Sequence, residues 1–213
     1  PYTNLTYYKT FNSRNSEERF KSYFAVNANK KFGIGFYIDY LYGRGMYNNQ
    51  STAFFNGGLF ASYRGDKYDM HFIFNNDNLK MRENGGITDN SYILTPQYSL
   101  QANNIPVNFS NAQSAYRNFN YFFNHRYKLG RDMERKAKNV FGEDSIYTEY
   151  VTIITLTHTF HAEDVARKYV EESMPMGFYA NNYFSDNYTR DSTAYWSIAN
   201  TFAITLDEEF NRL

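Results

Sequence analysis

Between Phe32 and Tyr47 the sequence FGIGFYIDYLYGRGMY alternates residue by residue, and a β-strand is the element that sends successive side chains to opposite faces with that period. One parity carries Phe32, Ile34, Phe36, Ile38, Tyr40 and Tyr42, and the other carries Gly33, Gly35, Tyr37, Asp39, Leu41, Gly43 and Gly45. One face is apolar and the other wettable. The apolar face runs for about ten residues, which at a tilt of roughly 45° matches an apolar layer of about 25 Å. It ends in Tyr40 and Tyr42, rings with hydroxyls that suit a membrane boundary. A strand of a soluble sandwich or a lipocalin-like barrel alternates in the same way with its apolar face inward. Periodicity alone therefore defines two faces without saying which is inside.

Composition narrows the choice. No apolar run approaches the roughly eighteen residues of a spanning helix, and the mean hydropathy is −0.68, so a helical membrane protein is excluded. A barrel is not excluded, because only every second residue of its strands meets lipid. Aromatic residues make up 20% of the 213, almost all Tyr and Phe with a single Trp, more amphipathic rings than an ordinary core uses. Lys+Arg and Asp+Glu balance at 22 each, which gives no general attraction to nucleic acid. There is no cysteine, so disulfides and thiolate metal sites are ruled out. Pro1 opens a stretch with neither a basic start nor an apolar run, so no signal peptide is visible.

The same alternation recurs along the chain. Leu5 to Lys9 is a short strand candidate, Asn12 to Glu18 a polar loop, and Phe20 to Asn29 a strand that turns at Asn29-Lys30-Lys31 into the organising one. Ala53 to Tyr63 places Phe55, Leu59, Ala61 and Tyr63 on one face, and Arg64 to Lys67 is a tight turn. Tyr68 to Asn75 sets Met70, Phe72 and Phe74 against Asp69, His71 and Ile73. Asn76 to Arg117, interrupted by Gly85-Gly86, Pro96 and Pro106, reads as a long loop. Its apolar Ile87, Ile93, Leu94, Ile105 and Val107 predict that it folds on itself, on a lumen wall or on a partner. Asn118 to Leu129 resumes the pattern, with His125 spoiling the apolar parity. Arg131 to Glu149 reads as a charged, partly helix-compatible connector. Val151 to His161 has no clean parity, Glu163 to Asp191 is a second long connection, and Tyr195 to Leu206 is a last strand whose apolar face Asn200 breaks.

The pattern predicts about eight strands in a single domain over 1–213, with long loops at 76–117 and 163–191. Short turns at Lys30 and Arg64 fall on one side, and loops near Asn15, Asn48, Asn84 and Glu172 on the other. Outer-membrane barrels have that asymmetry, and the connector at Arg131 to Glu149 is its exception. The fold expected is an all-β, antiparallel transmembrane barrel with Phe36, Ile38, Phe55, Phe72, Phe123 and Phe202 toward lipid. Its lumen would then carry Lys21, Tyr23, Tyr37, Asp39, Asp69, His71, Asn120, Asn124, Arg126 and Lys128. Both signs of charge are present, which argues for weak selectivity among small polar solutes. Arg82, Glu83 and Asp89 are candidates for narrowing or charging the entrance.

Other motifs have simpler explanations. Gly33-x-Gly35 opens a strand and lacks a third glycine, so it suits aromatic cover over strand glycines rather than a dinucleotide. Arg64-Gly65-Asp66 is accounted for by a turn that needs glycine. His158 and His161 are three apart in a strand and point to opposite faces, so they cannot chelate one metal. Asp39, Asp69 and His71 share a parity, but no serine is placed to complete a hydrolytic site. The oxygens of Glu83 to Asn90 lack the spacing of an EF-hand. No catalytic residue, metal site or cofactor is expected.

At Gly43 to Thr52 (GRGMYNNQST), Arg64 to Tyr68 (RGDKY), Lys80 to Asp89 (KMRENGGITD), His125 to Gly130 (HRYKLG) and Tyr179 to Tyr183 (YANNY) the chain resembles the outer-membrane porin family of the Bacteroidota. The likeness runs through nearly all of it. The resemblance implies a bacterial outer-membrane β-barrel made with a cleaved signal peptide, without catalytic residues, acting as a channel for passive diffusion of small hydrophilic solutes. Outer-membrane lipid, other outer-membrane proteins or further copies of the chain are the implied partners, and nucleic acid is not. Family chains are longer, and this one ends at Asn211-Arg212-Leu213 without a terminal aromatic strand, so it reads as an internal portion of a barrel. An aqueous channel needs roughly sixteen strands, so conduction depends on strands beyond these. The alternative function is a structural or partner subunit of a larger outer-membrane assembly, whose loops bind other proteins.

Overall fold

Alternation becomes strand along the whole chain. The computed structural model describes residues 1–11, 16–95, 101–138, 144–183 and 185–207. Its strands are β1 Tyr2–Lys9, β2 Glu17–Asn27, β3 Phe32–Arg44, β4 Ser51–Arg64, β5 Tyr68–Glu83, β6 Ala112–Lys138, β7 Asp144–Glu171 and β8 Thr189–Leu206. They form one sheet in sequence order with every neighbouring pair antiparallel. The helical pieces among the described residues are α1 Ser91–Leu94 and a 3-10 turn at Ala102–Asn104. β1 and β8 are not paired with each other, so the sheet is open, as a contiguous part of a larger barrel is.

Register decides which residues share a face, because directly opposite residues point the same way. Phe24, Phe36, Leu59, Phe74, Tyr121, Ala162 and Ile198 stand in one row across seven strands. Phe36, Ile38, Phe55, Phe72, Phe123 and Phe202 all fall on that apolar face. Among the described residues no second layer covers it: Phe36 is 37% exposed, Leu59 52% and Phe202 75%. Burying such side chains is worth roughly 1.5 to 3 kcal/mol each, and this sheet leaves that stabilisation to its surroundings.

The lower edge of the apolar band crosses the register obliquely. It passes Val26, Phe32, Tyr63, Tyr68 and Leu129, yet Val26 pairs with Ile34, Tyr63 with Met70 and Tyr68 with Tyr127. Each of these steps slips two residues along the strand. A band of constant height on tilted strands has this form.

The strands outlast the alternation that announces them. β5 continues to Glu83 and β6 begins at Ala112, so the loop expected at 76–117 is confined to 84–111. The connection expected at 163–191 is confined to 172–188, and the supposed connector at Arg131 to Glu149 consists largely of the continuing arms of β6 and β7. Beyond the apolar band the apolar parity turns polar, as at Asn76, Asn78, Lys80 and Arg82 of β5, so the signal that marks the strand ends although the backbone ladder persists. The strand ends joined across short gaps (Asn27 to Phe32, Arg64 to Tyr68, Lys138 to Asp144) all fall on one side, and those joined across longer gaps (Lys9 to Glu17, Arg44 to Ser51, Glu83 to Ala112, Glu171 to Thr189) on the other. Residues 139–143, Asn15, Pro96 and Asn211 to Leu213 lie outside the described residues, as does most of the loop expected at Asn12 to Glu18, of which Glu17 and Glu18 belong to β2.

A bulge explains why Val151 to His161 lacks a single parity. Leu129 pairs with Ile154 but Gly130 pairs with Thr152, so Ile153 is an extra residue and the alternation reverses there. A Cβ on Gly130 would lie 1.9 Å from the Val151 carbonyl oxygen, which is why glycine stands at this position. Above the bulge, Leu156, His158 and Phe160 join the apolar face. Below it, among the described residues, the arms of β6 and β7 pair with each other alone, a ribbon projecting past β5 and β8 on the short-turn side.

On the other side the long loops make the small buried cluster, Phe109, Ala112 and Met174. Phe109 packs edge-on to Phe178 with ring centroids 4.5 Å apart, joining the 84–111 and 172–188 loops. Ile87 bridges to Val107, and the Asn108 side chain donates to the Gly85 carbonyl at 2.9 Å. The loop therefore folds on itself, with Ile105 buried, whereas Ile93 and Leu94 on α1 are exposed and do not join the cluster.

Candidate pore-lining face

The opposite face gathers what the sequence scatters. Lys21 is opposite Asp39, Tyr23 opposite Tyr37, Asp69 opposite Arg126, His71 opposite Asn124 and Asn75 opposite Asn120. With Lys128 two residues beyond Arg126, all ten residues expected in the lumen share one face of β2, β3, β5 and β6.

Three of its cations are held against carboxylates. The Arg19 guanidinium donates from Nε and Nη2 to the two oxygens of Asp39, at 2.9 and 2.7 Å, the two-pronged geometry that arginine gives a carboxylate. Lys21 adds a second cation 3.6 Å away. Lys128 reaches Asp69 at 2.7 Å, leaving the other Asp69 oxygen buried without a partner among the described residues. Between these pairs lies a network of amides and a phenol around the Asp77 carboxylate. Tyr37 Oη donates to Asn75, Asn75 Nδ2 donates to Asp77 Oδ2 at 2.7 Å, and Asn56 donates to the other Asp77 oxygen. Asn124 donates to Thr159 at 2.7 Å, and Asn120 lies 3.0 Å from His161 Nε2.

Aromatic rings close over strand glycines here, as the glycine spacing suggests. A Cβ on Gly35 would meet the Phe60 ring at 2.3 Å, and one on Gly58 would meet the Tyr37 ring at 2.7 Å. Phe60 in turn stacks on Tyr23 with centroids 5.6 Å apart. The wall is thus a polar surface with flat rings and fixed charges of both signs.

The three entrance candidates do not converge. Arg82 pairs with Gln113 on the apolar parity, whereas Glu83 lies on the polar parity and accepts from Ser114 Oγ at 2.8 Å. Asp89 caps the α1 start, accepting from the Ser91 backbone N–H at 2.8 Å, and this bond holds its carboxyl below the usual carboxylate range. Nor does the fold assemble a hydrolytic site: Asp39 is on β3, and Asp69 and His71 are on β5 with β4 between them. His158 and His161 point to opposite faces. Among the described residues no cluster of three His, Asp or Glu side chains converges on a metal position.

Arg19, Asn56, Asn75 and Asp77 are absent from the sequence-based lining. Carrying the parity of Asp69 and His71 on through Asn75 and Asp77, instead of ending the strand at Asn75, finds two of them. Arg19 follows from the parity of Lys21.

A family model described as "Putative porin" matches residues 1–213, the whole chain. No curated protein and no solved structure matches it.

Proposed function

The chain belongs to that porin family, and from this premise we propose that it forms part of an outer-membrane channel for passive diffusion of small hydrophilic solutes. The observation that carries the reading is the division of the sheet into an uncovered apolar face and a face of paired charges, amides and hydroxyls. A bilayer supplies the missing cover for the first, and water and solute fill the second. Among the described residues no helix is long and apolar enough to cross a membrane, which leaves crossing to strands. The lining carries Asp39 beside Arg19 and Lys21, and Asp69 beside Lys128. Paired charges of both signs favour weak selectivity over the single-sign rings of selective pores. Liposome swelling with the intact protein tests this: uptake of small sugars and amino acids is expected, and no permeability refutes it.

One observation favours a second reading, a partner subunit of a larger outer-membrane assembly. Among the described residues the β6–β7 ribbon projects beyond β5 and β8 on the short-turn side. Stoichiometric co-purification of another protein in mild detergent, lost when residues 131–151 are replaced by a short turn, supports it. A clean monomer or homo-oligomer argues against it.

A further inference from the structure

The outward face carries a built cationic pocket at the long-loop end. Arg44, Ser51, Arg82 and Gln113 stand in one row across β3 to β6, and Tyr42, Ala53 and Lys80 in the row beneath. Both rows have the parity of Phe36, Leu59 and Phe74, so they continue the apolar face upward. They form the floor of a cavity of about 430 Å³, walled by the β3–β4 turn and by Asn103 of the long loop. That is the size of a small-ligand site. Among the described residues no carboxylate lines it.

Two features make this a site rather than a solvated edge. Arg117 and Arg190, on the same face and at the same end, are paired with Asp164 and Glu172. Arg44, Lys80 and Arg82, in contrast, have no ion-pair partner among the described residues. The walls are also fixed: Asn49 adopts a left-handed backbone (φ 52°), and its amide donates to the Phe109 and Ser110 carbonyls at 2.9 and 2.6 Å. This ties the β3–β4 turn to the 84–111 loop. Asn103 contributes a buried amide oxygen with no donor among the described residues, an acceptor suited to a hydroxyl.

We propose that this pocket binds the phosphorylated sugar headgroup of an outer-leaflet glycolipid. The two guanidinium forks and the Lys80 ammonium match phosphate oxygens, and the surrounding amides and Tyr42 match sugar hydroxyls. The source is lipid because the floor runs on without a break into Tyr40, Phe55 and Ile38, where acyl chains attached to the headgroup would lie. The proposal rests on the apolar face meeting the membrane, as in the channel reading, but not on conduction.

The test uses the intact protein in neutral detergent with a bis-phosphorylated, acylated glucosamine disaccharide as probe, read by native mass spectrometry and by competition binding. The expected result is binding at least about tenfold tighter than to the dephosphorylated disaccharide. The variant R44Q/K80Q/R82Q should lose at least about tenfold, R44K/R82K should keep part of the affinity, and Lys168→Gln, on the same face outside the cavity, should lose none. Heat-modifiable gel migration reports whether each variant is folded, and for any that is not, R44Q and R82Q singly are measured instead. Equal affinity of wild type and folded pocket variants overturns the proposal, as does equal loss with Lys168→Gln. Displacement by millimolar inorganic phosphate would assign the pocket to a soluble anion and overturn the lipid source. Liposome swelling on the same preparation reports the channel reading independently.

Discussion

His125 and His158 meet on the apolar face, His125 Nε2 lying 3.0 Å from His158 Nδ1. His158 Nε2 in turn lies 2.9 Å from Asn200 Oδ1. The residues that interrupt the apolar parity of β6 and β8 are thus joined through a third polar residue on the strand between them. With His158 neutral and protonated on Nε2, each ring nitrogen between the three has a partner. Phe123 stacks on His125 and Phe202 on His158, with centroids 4.9 and 4.4 Å apart. In hydrocarbon an unmatched polar group is costly, so the members should be coupled. A double-mutant cycle of His125→Phe and His158→Leu is expected to show a coupling of about 0.6 to 1.7 kcal/mol, the range of side-chain hydrogen bonds in membranes. Additive effects would mean that the chain does not form in the bilayer.

The assignment of faces predicts opposite outcomes for neighbouring residues. Phe72 stands between Ala61 and Phe123 on the apolar face, and His71 is on the polar one. Near the midplane Phe72→Arg should cost about 2 to 4 kcal/mol, because an arginine must be carried into lipid. His71→Arg should cost much less. Reversible urea unfolding into lipid vesicles measures both, and equal costs would overturn the facing.

Where one face is apolar, sequence alone is enough to read this fold; where both faces are polar, it is not. Phe36, Phe72 and Phe123 announce their face through alternation, and the pairing shows them there. Lys80, Arg82 and Ala112 to Arg117 lie in equally regular strands, but the parity that carries the apolar band is polar or small there, so they read as loop. That the ten residues expected in the lumen share one face is legible because each sits beside an apolar neighbour of opposite parity. The Arg19 fork on Asp39, the Tyr37 network and the outward cavity were not, since each depends on cross-strand register that only the turns and the bulge at Gly130 establish.

Gly58 predicts a packing penalty. Its missing side chain leaves room for the Tyr37 ring, and a Cβ would also lie 2.6 Å from the Phe74 carbonyl oxygen. A backbone atom cannot swing aside as a side chain can. Gly58→Ala should therefore destabilise by about 1 to 3 kcal/mol. Pairing it with Tyr37→Ala should relieve only the ring contact. Full recovery of stability in the double variant would place the whole clash on Tyr37.

On the short-turn side Lys31 Nζ lies 2.9 Å from Asp66 Oδ2, joining two turns. The hydrogen bond from Lys31, and then its charge, hold the Asp66 carboxyl below the ordinary carboxylate range. The same contact raises Lys31 above the ordinary lysine value. Asp66 therefore contributes stability above its ordinary range and loses it as pH falls through the lowered value. Lys31 contributes below its ordinary value and loses it as pH rises through the raised one. Stability owed to this pair is thus constant through neutral pH, and it is small because both groups are exposed. Carboxyl NMR titration should show the Asp66 midpoint rise to the ordinary range in Lys31→Gln. An unchanged midpoint would mean that the turns are not linked in solution.

Asp39 offers the most direct test of the polar face as a conduction path. Arg19 grips it with two hydrogen bonds and Lys21 stands 3.6 Å away, so the local sum with the carboxylate is one positive charge from three groups. Asp39→Asn keeps the shape and removes the negative charge, leaving both cations uncompensated toward the lumen. A unit charge about 4 Å from a passing ion is worth about 1 kcal/mol in bulk water. At low salt, where screening is weak, anion passage should therefore rise and cation passage fall by about fivefold each, and the anion-to-cation permeability ratio should rise by a factor of up to roughly thirty. Reversal potentials across a planar bilayer containing the intact protein, taken in a salt gradient, measure that ratio. Raising the salt should shrink the difference between variant and wild type. A ratio that stays unchanged at low salt, in a channel that still conducts, would place Asp39 and the face it shares with Tyr37 and Asp69 outside the path of the ions.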